Sequence, residues 1–438
     1  MKRFWPIALL ALWMGACDLS VTNPGQIQDE YLNDAKAIDP IVNGVAGDFA
    51  WATTIPGGGG LYNAGAMLTD ELVHVGTWIG LRLLSNGIPD DWTEADGRWS
   101  GASQARWTAE QAVERISKLV ENPDRDARVA TVAMWAGHMN RVMGDHYGEA
   151  VINGGGPQPH TVYYERAIGY FNRAIQIAQA INNRDILLSS LGGRAWCYVQ
   201  LGRWSEALQD MRQIPTDFVF NQIHADKTDR ERNYFYWWGF LREECSVWGT
   251  PFARWGLNLT NPAASEGDPR VQYDVPGRNG GDGRRPFWRQ RKYRSYADPI
   301  AVIKGTDMRL LEAEYALRQG DVQTAVAKIN EVRQSNNARF RYNLPLVSAR
   351  TVEEAWPLLI RERGVELWLE GKRIADMRRW ATYGANFVQR YIPGVVREEN
   401  AGRPASEDPV RNVILSAPKL FLIIPRIERN SNPNYPRS

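Results

Sequence analysis

Between Tyr163 and Pro215 apolar residues recur at steps of three and four: Ala167, Phe171, Ala174, Ile175 and Ala178, then Leu187, Leu191, Ala195, Tyr198 and Leu201. That spacing puts each set on one face of a 3.6-residue helix and predicts amphipathic helices packed through those faces. Asn182 and Asn183 interrupt the first run, Gly202 opens a turn after the second, and Pro215 marks a stop. The alternation that half-buried strands require is sparse. The pattern predicts an all-α fold, with helices over about 105–215 and 305–385.

A longer period overlies the short one. Ala195, Gly202 and Ala207 in AWCYVQLGRWSEAL have the spacing of Ala313, Gly320 and Ala325 in AEYALRQGDVQTAV. A looser copy in MWAGHMNRVMGDHYGEA holds Gly137 and Gly144 in register, with Ala150 one residue late. Small residues let two antiparallel helices approach, and glycine permits the turn between them, so the copies read as degenerate tetratricopeptide-like pairs in one large domain. Inserts at about 53–103 and 216–305 separate them. Both are rich in glycine and aromatic residues and are expected to be long irregular loops, the kind that commonly bind ligands.

Composition narrows the function. The chain has 438 residues, 44% of them hydrophobic, and a formal charge of only +2, so no basic field argues for nucleic acid. Trp occurs 18 times, more than a core alone calls for. The first residues, MKRFWPIALLALWMGAC, join a basic start to a short apolar stretch and end on Gly15, Ala16 and Cys17. This is the form of a lipoprotein signal peptide over residues 1–16, with Cys17 as the lipidated first residue of the mature chain. Cys197, inside AWCYVQL, reads as a buried thiol. An exported compartment also permits a disulfide between Cys197 and Cys245, and the sequence leaves that open.

Candidate chemistry is thin. The five histidines, at 74, 138, 146, 160 and 224, form no HExxH, and no Cys-x-x-Cys pair is present. Asp124 and Asp126 resemble the start of a calcium loop that no glutamate closes. No metal and no cofactor is expected. The stretch RERGVELWLEGKRIADMRRW, residues 361–380, holds three glutamates, one aspartate and six basic residues. On one helix, Glu362, Glu366, Glu370 and Arg373 share a stripe, and Glu370–Arg373 and Arg373–Asp376 are oppositely charged i,i+3 pairs. Glu366 and Glu370 on successive turns would lean the same way and could not flank a sugar from opposite sides, as a two-carboxylate hydrolase needs. The stretch reads as an ion-paired scaffold helix in a protein that is not an enzyme.

The same residues carry a resemblance. ERGVELWLEGKRIADMRRW is similar to the C-terminal signature of the SusD/RagB family of outer-membrane nutrient-binding lipoproteins, through Glu362, Arg363, Glu366, Leu367, Glu370, Gly371, Arg373, Asp376, Arg378, Arg379 and Trp380. Further matches run in family order: Cys17 followed by LSVTNPG, MGDHYGEAV near 143–151, DPRV at 268–271, RKY at 291–293, the 308–333 segment and FLIIPRIERNSNPN at 421–434. The resemblance implies a lipid-anchored, surface-exposed outer-membrane protein. It would bind oligosaccharide or peptide and act as a lid on a SusC-like TonB-dependent transporter. A repeat-bearing envelope assembly lipoprotein is the second reading.

The family's ligand loops vary, so binding candidates come from sugar chemistry: flat aromatic faces for C–H surfaces, with polar neighbours for hydroxyls. The first insert offers Trp78, Trp92 and Trp99, with Asn86, Asp91 and Arg98 nearby. The second offers Trp248 and Trp288, and also Tyr234, Trp237 and Trp238, although the YFYWWGF context draws Trp237 and Trp238 toward the core.

Overall fold

A computed structural model describes residues 29–88, 93–392 and 420–436. The chain is mostly helical, as the periodicity predicts. In order come α1 (Ile38–Thr54), α2 (Pro56–Leu68), α3 (Ile79–Ser85), α4 (Thr93–Leu119), α5 (Ala127–His146), α6 (Thr161–Ala180), α7 (Arg184–Gln200) and α8 (Trp204–Met211). After the short α9 (Tyr234–Tyr236) and α10 (Pro251–Trp255) follow α11 (Gly305–Arg318), α12 (Val322–Phe340), α13 (Val352–Glu366), α14 (Arg373–Ala381), α15 (Ala385–Tyr391) and α16 (Arg426–Ser431). None of the described helices is long and apolar enough to cross a membrane.

Helix α5 packs against α1, α4, α6 and α7, which is why it is buried nearly all round, polar residues such as Arg141 and Asp145 included. Asn183 caps α7 by accepting from Ile186 N at 3.1 Å, which explains the interruption between the two periodic runs. The two close copies of the repeat are hairpins, α7–α8 and α11–α12, turning at Gly202 and Gly320 with φ of 76° and 79°. The looser third copy is a different object. Gly137 and Gly144 both lie inside α5, and a Cβ on either would come within 2.6 Å of the Phe171 ring or 2.8 Å of the Tyr164 ring. There the glycines admit α6 rather than turn the chain.

The first insert corrects the expectation of an irregular loop. Helices α2 and α3 and the start of α4 fill most of it, because its glycines sit where the chain bends rather than where it is free. Gly57–Gly60 all have positive φ and form one left-handed turn before the helical body of α2. The described residues hold four small sheets, three of which involve the second insert. β1 (Val73–His74) pairs with β5 (Cys245–Ser246), and β2 (Glu149–Ala150) with β3 (Gln158–Pro159). β4 (Val219–Gln222) pairs antiparallel with β9 (Ile300–Lys304). β7 (Asp268–Asp274) lies between β6 (Gly256–Asn258), parallel to it, and β8 (Arg289–Gln290), antiparallel. Cys197 and Cys245 are both buried free thiols, which settles the disulfide the sequence left open.

The charged stretch 361–380 is not one helix. Helix α13 ends at Glu366 and α14 begins at Arg373, and between them Leu369 and Gly371 adopt left-handed φ of 57° and 69°. Glu370 therefore leaves the predicted stripe. The expected pairs dissolve with it: Arg373 donates through Nε and Nη2 to Asp70 at 2.8 and 2.7 Å, and Asp376 accepts from Arg363 and Arg379. Glu370 binds Lys292 at 2.7 Å, Glu362 takes Arg270 and Arg333, and Glu366 takes Lys304 at 2.7 Å. The charged residues are paired, but mostly with partners from other elements rather than along one helix. Tertiary pairs of this kind are buried, and removing one partner from such a pair costs about 3–5 kcal/mol.

Candidate functional site

The β1–β5 ladder, pairing Val73 with Ser246 and His74 with Cys245, brings the two inserts together. Just past β1 the chain is clamped by Glu244, whose carboxylate accepts from Thr77 N at 2.9 Å, from Trp78 N at 3.4 Å and from His74 Nε2 at 3.1 Å. Burial pushes this carboxyl up, but the His74 and backbone hydrogen bonds prevail and hold it below the usual glutamate range. Burial lowers the His74 pKa. Gly76 is required here, since a Cβ would lie 1.7 Å from the Glu244 carboxylate. The clamp fixes Trp78.

On the other side the sequence NYFYWWGFLRE folds as α9 followed by a π turn over Trp237–Leu241. Asn233 anchors its start, accepting from Phe235 N at 3.0 Å and donating to Asp298 O at 2.8 Å. Arg242 N closes the wide turn on Trp237 O at 2.8 Å. The extra residue of a π turn shifts the helical faces, so Phe235 and Trp238 go inward while Tyr234, Tyr236, Trp237 and Phe240 stay half-exposed. Trp78 meets Trp238 edge to face at 5.0 Å and 81°, and the Arg242 guanidinium lies 5.7 Å from both rings. The indole N–H of Trp238 is buried and has no acceptor among the described residues.

The aromatic surface continues beyond this pair. Tyr236 contacts Phe240 and Tyr296, each at 5.0 Å, and Arg289 and Arg291 flank the Phe240 ring at 4.5 and 5.2 Å. Half-exposed rings interleaved with guanidinium groups offer apolar faces and hydrogen-bond donors side by side. That arrangement suits a hydroxylated ligand. Among the described residues its one carboxylate–imidazole pair, Glu244 with His74, is buried and spent on the clamp, and the carboxylates of the 361–380 stretch are held in ion pairs. One Lys304 ammonium bridges Glu366 and Glu370, at 2.7 and 3.5 Å, and although burial alone would raise it, Lys304 and Arg270 hold the Glu366 carboxyl down to about 2.

The predicted residues scatter. Trp78 lies on this surface. Trp99 and Arg98 do not: Trp99 is 3% exposed, packs edge-on against Tyr147 at 5.0 Å and donates to Glu428 at 3.0 Å, while buried Arg98 donates to Gly57 O. Both sit on α4, which the irregular-loop expectation hid. Asn86 is half-buried at the end of α3. Trp248 and Trp288 are half-buried on the far side of β5, where Val247 N donates to Trp288 O at 2.9 Å and Trp288 stacks on buried Tyr273 at 5.5 Å and 2°. Asp91, Trp92 and the lipidation residue Cys17 lie outside the described residues. Arg242, Tyr236, Phe240 and Tyr296 were missed. The signal for them was the arginine closing an aromatic run, which reads as core by composition and becomes surface only through the π turn.

Residues 287–437 match the SusD family. The fold is similar to that of a SusD superfamily protein from Bacteroides fragilis, at 13% identity and a TM-score of 0.62, covering 92% of this chain and 99% of that one. It is also similar to a SusD superfamily protein from Bacteroides vulgatus ATCC 8482, at 14% identity and a TM-score of 0.60, covering 92% and 98%. A SusD-like carbohydrate binding protein from the same organism shares the fold at 14% identity and a TM-score of 0.57, covering 79% and 83%. No curated protein matches the sequence.

Proposed function

We propose, for a chain that is a SusD/RagB-family protein, that it captures oligosaccharide at the surface built by Trp78, Trp237 and Arg242, with buried Trp238 supporting Trp78 from within, and passes it to a SusC-like TonB-dependent transporter. The family match and shared fold support a binding protein. The observation that carries the reading is the clamped Trp78 set against Trp238 beneath the Arg242 guanidinium. An indole face takes the C–H surface of a pyranose, and a guanidinium donates to paired hydroxyls. Lipid attachment at Cys17 would hold the protein at the outer membrane, where it would act as the transporter's lid.

Isothermal titration of the protein lacking residues 1–17 against neutral and acidic oligosaccharides and short peptides tests the reading. Saturable oligosaccharide binding that Trp78→Ala weakens about tenfold supports it, as does co-purification of the full-length protein with an outer-membrane barrel. Peptide binding alone, or glycan binding indifferent to Trp78, overturns the ligand assignment. Turnover of any glycan by the purified protein overturns the assignment as a binder.

A further inference from the structure

Beneath the turn that joins α13 to α14 lies a hollow that meets the aromatic surface at Arg291. Two adjoining cavities of about 370 and 350 Å³ share Lys292, Lys304, Asn336, Phe340, Glu366 and Glu370 in their walls. Each falls within the roughly 300–1,000 Å³ typical of small-ligand sites. The floor is charged but largely satisfied. Lys304 bridges Glu366 and Glu370, Lys292 holds Glu370 at 2.7 Å, and Asn336 donates to Glu366 at 2.8 Å. One acceptor is left over: Glu370 Oε2 is buried with no donor, on a residue only 4% exposed.

The walls hold the rest of the unused capacity. Arg341, at the C-terminal cap of α12, has a left-handed φ of 57°. It sets Phe340 and Tyr342 side by side, with ring centroids 5.4 Å apart and planes 28° apart, and Phe340 remains 50% exposed. Arg291 and Arg294 also line the larger cavity. Arg291 shares Asp274 with Arg289, at 3.3 Å, and its Nε is buried without an acceptor. The Arg294 guanidinium has no partner among the described residues, although its backbone N–H is bound to Asp298. Carboxylates balance the lysines, so the unspent charge in the hollow is positive: it sits on the Arg294 guanidinium, beside Arg291, whose one carboxylate partner is shared with Arg289.

A ligand that uses every free group needs an anionic oxygen pair for Arg291 and Arg294, a flat C–H face for Phe340 and Tyr342, and a hydroxyl that donates to Glu370. A bare anion leaves the rings idle. A neutral sugar leaves the guanidinium groups idle. We propose that this hollow is a second ligand subsite, selective for an acidic sugar ring of the hexuronate class. The inference depends on the glycan-binding reading above for its ligand class alone; the site itself is separate from the Trp78 surface. It would make the protein prefer acidic polysaccharide fragments, with one ring in the hollow and neighbouring rings on the aromatic surface that Arg291 adjoins through Phe240.

The test is titration of full-length protein in detergent with trigalacturonate, a glucuronate-containing trisaccharide, their neutral counterparts and sodium phosphate. Acidic trisaccharides should bind at least about tenfold more tightly than neutral ones, a gap typical of one charge-assisted bidentate contact. Arg294→Ala and Phe340→Ala, both on exposed side chains, should each weaken acidic binding by about tenfold, and Arg294→Ala should leave neutral binding unchanged. Trp78→Ala should weaken both. Equal affinity for acidic and neutral ligands overturns the proposal, as does phosphate competing as well as uronate at the same concentration, or indifference to Arg294→Ala and Phe340→Ala. Those results, with neutral glycan still bound through Trp78, sink the second subsite alone. Absence of all glycan binding removes both readings.

Discussion

At the residue scale the telling group is Glu71. Its carboxyl is buried, accepts from Leu369 N at 2.7 Å and thereby holds the left-handed residue of the signature turn. Burial pushes it up to about 8, against the lowering effect of that N–H and of Arg373 and Lys292; Asp70 beside it adds to the rise. An unfolded glutamate releases its proton near about pH 4.3, whereas the folded chain keeps it until about 8. The raised value means that the native state binds more protons between those limits. The stability is therefore fully present below about pH 4.3 and is lost as pH rises toward 8. Glu71→Gln keeps the acceptor and removes the titration. Urea midpoints should show the variant more stable than the native chain at pH 8.5, by about 2 kcal/mol or more, with the gap closing toward pH 5.

At the element scale the two halves of the signature are held by charges from elsewhere in the chain. Gly371 can follow its left-handed path because nothing projects from it; a Cβ would stand 2.2 Å from the Tyr62 ring. Tyr62 and Asp70 lie on and just after α2, so the N-terminal helices act as the mould for this turn. Arg373 grips Asp70 with both side chains buried. Arg373→Met leaves that carboxylate unpaired in the interior and should cost about 3–5 kcal/mol in chemical denaturation. Combining it with Asp70→Leu should recover most of the loss, because an apolar pair of similar volume carries no desolvation penalty. A loss that persists in the double variant would place the cost in packing rather than in charge.

At the scale of the whole molecule, the proposed site lies where the two inserts meet, and Glu244 is the joint. Removing its carboxylate by Glu244→Ala frees Thr77 and Trp78 from their shared acceptor. Oligosaccharide affinity should fall about tenfold, and the melting temperature should fall too, because buried His74 loses its partner; Glu244→Gln, which keeps an acceptor, should recover much of both. Titration calorimetry and a circular-dichroism melt separate the two effects. Affinity intact alongside a large drop in melting temperature would make Glu244 a folding residue and remove the joint from the binding account.

The chain's own pattern determined the helical class, the turns at Gly202 and Gly320 and the ion-rich signature, because each is written in spacings of seven residues or fewer. Helical periodicity, capping side chains and glycine turns act over one or two turns of backbone, and so they are legible without the fold. What only the tertiary structure decided has longer reach. The pairing of β1 with β5 joins residues some 170 positions apart, and Arg373 meets Asp70 across 303 positions. The break at Leu369 and Gly371 depends on an acceptor 298 residues upstream. Whether a tryptophan is rim or core was likewise beyond local reading: Trp78 and Trp99 have similar neighbours in sequence, and only the packing of α4 against Tyr147 buries one and leaves the other half-exposed. Side-chain burial is a property of what arrives from elsewhere in the chain, and composition near the residue does not record it.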